Sequence, residues 1–401
     1  VARATSCRWI DRCLRLREVS RRNPRSPGAI GWIDLYGLCL LGGIVAHVTV
    51  AVAAFYELLF LAIDLAMFDW DLGVVGITRG VGLIVVGVFL IRTGRYLWDV
   101  TRGLVTPRHE PDSAFLRGIG LDRFVHRELH EAVAEASCRV GAPKPDEIRI
   151  NHRPACCAAE FREFGVRTQR RLVVVLGLPI LTVFNVGELK VILGHELAHI
   201  GRGDTRLEVF MVRVLEMLRR QAPEARQRWW RWLDPLAWYA WGSAAVLAFL
   251  LGPMWRHQEL RADSLSAAAY GGELAARTLL KDWLAVHEFA QAVLSFDGDG
   301  RPDAGSSPQS VFHRFAERWQ EFSRVGQEYL ERRLREEERP SFWDSHPTVH
   351  ARTAAMRRFP PRTEEDQRPA RELLPDFDDL AAKLHEAALG DDLGAEDADC
   401  P

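Results

Sequence analysis

The chain has 401 residues, with 52 Lys and Arg against 54 Asp and Glu and a formal net charge of −2. That length exceeds a single small module and suits one large domain or two ordinary ones. The near-neutral balance excludes a general nucleic-acid binder, which carries a broad basic excess. A content of 48 % hydrophobic residues with 13 Trp excludes a disordered chain. Seven Cys, an odd number without a C-x-x-C pair, fit a reducing compartment better than a disulfide framework and offer no cysteine zinc site.

The averages conceal segregation. Residues 1–30 hold eight Arg against Asp11 and Glu18 and form a basic arm. From Leu35 to Ile63 the chain is almost entirely apolar, with Glu57 the only charge; about 20 such residues span a bilayer as a helix. A second run, Gly73 to Ile91, carries one internal charge, Arg79. Asp64, Asp69 and Asp71 lie between the runs, while the basic arm and Arg92, Arg95, Arg102 and Arg108 lie outside them. Residues 31–95 are therefore expected to form a transmembrane helical hairpin with both flanks in the cytoplasm. The chain is expected to be a multi-pass integral protein of the plasma membrane, with its N-terminus and its domain of residues 96–390 cytoplasmic.

Within that domain the first pattern is His126-Arg127-Glu128-Leu129-His130. Its two His stand four apart, but Arg127 would repel a metal ion, so the segment reads as a solvated helix face. Residues 148–152 and 160–176 read as strands, the β-branched run Leu172–Leu176 being a buried one. Residues 187–204 then read GELKVILGHELAHIGRGD. On a helix His195 and His199 sit one turn apart, about 6 Å along the axis, so both imidazoles can reach one zinc ion with Glu196 beside it. A zinc ion acidifies water, and a carboxylate at that position can take the proton as the water attacks a carbonyl.

From Pro235 to Trp255 the chain is again apolar, with Trp229, Trp230, Trp232, Trp238, Trp241 and Trp255 in or around the run. Tryptophan gathers where apolar rings meet wet headgroups. Glu259 and Asp263 follow on one helical face, where Glu259 can serve as third ligand and Asp263 can orient a ligand imidazole. The other reading is a surface helix with mildly repelling carboxylates. A single crossing by 235–255 would leave Glu259 and His195 on opposite sides of the membrane. This segment is therefore expected to dip as a short hairpin or to lie against the domain and the interface. Residues 264–295 and 312–338 read as amphipathic helices, 297–309 as a loop, and His346 opens a helix running towards Arg358. Residues 391–401 hold five acids and no base and read as a disordered tail.

Four motifs in this order, GELKVILGHELAH, Glu259 to Asp263, Ser345-His346-Pro347 and Arg352, resemble the HtpX-like and CAAX-prenyl-protease-type membrane zinc metallopeptidases over residues 120–360. The resemblance implies a mainly α fold with a small β-sheet, an α+β zincin-like domain attached to the hairpin. It implies that His195, His199 and Glu259 bind one zinc ion, with Glu196 as general base and Asp263 behind a ligand. It gives His346 a contact to the tetrahedral intermediate and Arg352 a supporting place, where cationic groups stabilise a developing oxyanion. It further implies an extended substrate strand paired with a sheet edge beside the catalytic helix. The expected activity is cleavage of membrane or misfolded proteins at the cytoplasmic face, as in protein quality control. The alternatives are a dedicated processing or signalling protease acting on one lipidated protein or repressor, and a catalytically silent scaffold. Expected partners are a protein substrate and the bilayer, not nucleic acid.

Overall fold

The computed structural model describes residues 32–67, 74–105, 117–163, 169–200, 214–215, 218–219, 235–298, 310–325, 347–362 and 366–390. The basic arm, the acidic tail and His346 lie outside them. The chain divides into two compact units, one drawn mainly from residues 25–107 and 204–254, the other from 108–203 and 255–401.

In the first unit, α1 (Trp32–Met67) and α2 (Val74–Val105) pack side by side. Their approach uses small residues: a Cβ on Gly82 would sit 3.8 Å from Leu65 and one on Gly94 3.4 Å from Phe55. The Thr49 and Thr93 hydroxyls donate to carbonyls one turn back, at 2.8 and 2.9 Å, so neither needs water. Val45, Phe60, Ile84 and Ile91 are exposed on the outer faces. Among the described residues, two helices are long and apolar enough to cross a membrane, Thr49–Met67 and Ala237–Tyr270. Two packed helices thus stand where the hairpin was expected, and of the two only α1 holds a stretch of that length and apolarity among the described residues.

The second unit is mainly helical around a mixed four-stranded sheet of order β1-β2-β4-β3. The strands are β1 (Ile119–Gly120), β2 (Glu147–Asn151), β3 (Cys156–Glu163) and β4 (Gln169–Gly177). β2 and β4 are parallel, whereas β1 and β3 are antiparallel to their neighbours. Val173, Val174, Val175 and Leu176 are wholly buried, as a continuous apolar strand requires. The stretch 160–176, expected as one strand, is instead split between β3 and β4, paired from Cys156 and Leu176 to Glu163 and Gln169. Its only sequence punctuation was Gly165. On the far side β3 has no strand neighbour among the described residues, and it lies beside the helix that carries His195.

Helix α3 (Arg127–Val140) buries Leu129, Ala132, Val133 and Ala136, one face at helical spacing. His126 and His130 are not a solvated face. His126 is buried, with its Nε2 2.7 Å from Asp376, and the His130 ring meets the Leu121 carbonyl at 3.4 Å. After α4 (Leu178–Val183), α5 (Val186–Ile200) opens with a reciprocal cap. The Asn185 side chain accepts from the Glu188 N–H at 2.7 Å, and Glu188 accepts from the Asn185 N–H at 2.9 Å. The N–H groups of Val186 and Gly187 donate to the carbonyls of Arg368 and Asp366, so the first turn leaves few orphan donors. Lys281 reaches Glu188 at 2.7 Å and ties this turn to a helix further along the chain.

Helix α6 (Pro235–Tyr270) is unbroken despite Pro253, so the short hairpin that residues 235–255 were given as one alternative does not form. It ends at Gly271, whose φ of +102° favours glycine at a helix C-terminus. Beyond it lie α7 (Gly272–Gly298), α8 (Val311–Val325), α9 (Val349–Met356), a 3-10 turn (Ala370–Leu373) and α10 (Phe377–Gly390). Thr348 caps α9 by accepting from the Ala351 N–H at 3.2 Å. Phe289, Phe312 and Phe315 meet the buried faces of the 3-10 turn and α10 in the main core.

Candidate metal centre

The centre is built on two helices that pack closely because the residue before His195 is glycine. A Cβ on Gly194 would lie 2.9 Å from the Tyr270 ring and 3.4 Å from Ser266 Oγ. Ser266 also donates to the Val191 carbonyl at 2.8 Å, which fixes α5 against the second half of α6. Across this seam the ring nitrogens of His195 and His199 and the Glu259 carboxylate converge. The two Nε2 atoms are 3.2 Å apart, and each is 3.5 Å from a Glu259 oxygen. Donors about 2.1 Å from one tetrahedral zinc lie about 3.4 Å from each other. The imidazole pair is near that spacing, His195 Nε2 approaches Glu259 Oε2 and His199 Nε2 approaches Oε1, and one donor atom from each residue lies within 4.8 Å of the others, so these residues could hold the ion.

Behind these donors stands a buried ion-pair network. Asp263, 1 % exposed, holds its Oδ1 3.0 Å from His195 Nδ1. This is an ion-pair contact, with Nδ1 making no well-directed hydrogen bond, and it leaves Nε2 turned to the other donors. Arg352 of α9 forks onto Asp263, donating from Nε and Nη2 at 2.8 Å each. Its Nη2 also lies 3.0 Å from Glu259 Oε2 and 3.5 Å from His195 Nε2. Such a two-pronged bond fixes direction as well as charge. Arg352, expected beside a developing oxyanion, is thus bound to the two carboxylates that flank the donors.

Charge in the pocket is strongly coupled. Burial lowers the His195 imidazole, but Asp263 and Glu259 outweigh it and carry the group to about 10. Burial, with His195 acting in the same direction, brings His199 down to about 4. Of the two facing rings, His195 is thus the one favoured as a cation, held by the carboxylates, and His199 the one favoured as neutral. Burial lifts the Glu196 carboxyl to about 7; Glu259 and Asp282 add to this, while His195 and Arg352 oppose it. A carboxyl in that range suits proton transfer near neutrality. Burial opposes the Arg352 charge, but Asp263 and Glu259 hold the guanidinium firmly protonated.

Six of the seven residues singled out in the sequence lie in the described part: His195, Glu196, His199, Glu259, Asp263 and Arg352 all gather here, while His346 is outside it. Two contributors were not read from the sequence. Asp282, raised to about 6 by burial, occupies an ordinary amphipathic stretch of α7, and nothing in its local pattern marks it. Gly194 had a signal, a glycine inside a confident helix, which points to close packing.

The model of Peptidase family M48 matches residues 124–359, a stretch that contains every residue of this centre. No curated protein and no solved structure matches the chain. Matched over more than half its length, with the motif donors brought together in space, the chain belongs to peptidase family M48, metallopeptidases of the HtpX and CAAX-protease type.

Proposed function

We propose that the protein is a membrane-anchored zinc endopeptidase that cleaves membrane or misfolded proteins at the cytoplasmic face. The observation that carries this reading is the convergence of His195, His199 and Glu259, whose donor atoms all lie within 4.8 Å of one another. His195, His199 and Glu259 would hold a zinc ion, which would supply the polarisation of a peptide carbonyl and the acidification of water. Glu196 takes the proton of the attacking water and delivers it to the departing amine. Asp263 keeps the His195 ring in the orientation that presents Nε2, and Arg352 holds Asp263 and Glu259 in place. By resemblance, His346 meets the negative charge that develops on the carbonyl oxygen. The edge of β3, which has no strand neighbour among the described residues and lies beside α5, suits an extended substrate, whose backbone would add as a further strand.

The membrane placement is supported by the exposed apolar flanks of α1 and by the apolar first half of α6. Because Glu259 and His195 serve one site in this reading, an odd number of crossings between them is excluded. The basic flanks in the sequence support a cytoplasmic site. Two measurements test the proposal. Chelation should stop casein cleavage by the purified chain, and stoichiometric zinc should restore it. Labelling of single cysteines at positions 228 and 261 should place both on the cytoplasmic side; opposite sides would defeat the three-donor assignment.

A further inference from the structure

Beside the metal centre, α7 presents a carboxylate that no role above uses. Asp282 Oδ1 is buried without a hydrogen-bond partner, while the residue as a whole keeps partial exposure. Lys281, its sequence neighbour, is tied to Glu188 at the start of α5 at 2.7 Å and lies 5.0 Å from the centre of the Phe184 ring. This contact fixes that turn of α7 against the catalytic helix. α7 packs also on α9, the helix of Arg352. In this wedge Asp282 is subject to the charges of Arg352 and His195 and acts in turn on Glu196. Neither neighbouring cation is available to it: Arg352 is held by Asp263 and Glu259, and Lys281 by Glu188.

A buried carboxylate oxygen without a donor is costly until one arrives. In a peptidase, the group that arrives next to Glu196 belongs to the substrate. We propose that Asp282 is the anchor of a substrate subsite that takes a basic side chain, lysine or arginine, of the bound peptide. The inference rests on the peptidase reading. A neutral amide would meet the hydrogen bond but leave the charge, an apolar side chain would leave both, and an acidic one would face Asp282 and Glu196 together. Lysine and arginine carry a donor and a charge on a long stem, which lets the head reach a recessed oxygen while the peptide backbone stays extended.

The test uses the full zinc-loaded chain in detergent and a peptide that it cleaves, with Lys, Gln, norleucine and Glu placed at each position in turn. At one position Lys should exceed Gln in kcat/KM by about tenfold or more. Asp282→Asn should bring that ratio to within about twofold of unity without changing the bound zinc, and Asp282→Glu should keep the preference. The same peptides are titrated against Glu196→Gln, where the Lys peptide should bind more tightly, and Asp282→Asn in that background should erase the difference. Absence of any basic preference in both arms, or a preference that survives Asp282→Asn, overturns the subsite. If no peptide is cleaved while Lys-dependent binding still follows Asp282, the peptidase reading fails and the subsite stands. Should Asp282→Asn not fold, Asp282→Ser serves the same comparison.

Discussion

Helices α1 and α6 are both 36 residues long and each contains a run apolar enough to cross a bilayer, yet their side chains meet different surroundings. In an apolar 18-residue stretch of Thr49–Met67 6 % of the residues are buried, against 33 % in such a stretch of Ala237–Tyr270. The acids in the apolar run of α1, Glu57 and Asp64, are exposed, whereas Glu259 and Asp263 of α6 are buried and paired with Arg352. Hydropathy therefore marks the two helices alike, and the partners of the charged residues set the helix that carries the site apart from the one that does not. A buried acid must be matched by a cation or a metal, and α6 meets that demand at its far end.

The sharpest way to break this contrast is at the chemistry that α6 completes. Replacing Glu196 by Gln should lower kcat/KM by about 10²- to 10⁴-fold with zinc retained, as measured by turnover of a peptide beside metal analysis. Asp263→Asn should weaken zinc binding by about 10- to 100-fold in a competition titration with a chromogenic chelator. The same titration should show Arg352→Lys falling in that range, because an ammonium cannot fork onto Asp263. In the pH profile of kcat/KM, Glu196 must be ionised to act as base, so activity should fall as the solution is made more acidic. With the carboxyl at about 7 before a cation adds its own field, that limb should sit at or below 7 and should be altered in Glu196→Asp. The smallest effect belongs to α1: Glu57→Leu should leave zinc content and turnover within about twofold. A large loss there would mean that the two helices do not differ as described.

Much of the centre was legible because a helix repeats every 3.6 residues. His195 and His199, and then Glu259 and Asp263, are each spaced for one face, and the chemistry of a metal ligand limits the residue types. Arg352 was found by motif, but its partners were not, since the fork onto Asp263 depends on how α9 meets α6. Asp282 was invisible for the same reason: its position beside Glu196 is created by packing between elements far apart in sequence. His126 shows the opposite error. Its neighbour Arg127 is solvated, while the ring itself is buried against Asp376, 250 residues along. In the fold, the buried run Val173–Leu176 stood out through its β-branched residues, but the junction between β3 and β4 carried too weak a turn signal. Continuity of α6 also went unread, because an apolar run with an internal Pro253 is compatible with either a bend or a straight helix.

The central claim is that His195, His199 and Glu259 hold one catalytic zinc served by Glu196. The most direct measurement is zinc stoichiometry and peptide cleavage on the purified full chain, run in parallel for wild type, Glu259→Ala and Glu196→Gln. The account predicts one zinc per chain with cleavage for wild type, loss of both for Glu259→Ala, and one zinc without cleavage for Glu196→Gln. Zinc retained in Glu259→Ala, or cleavage undiminished in Glu196→Gln, would contradict it.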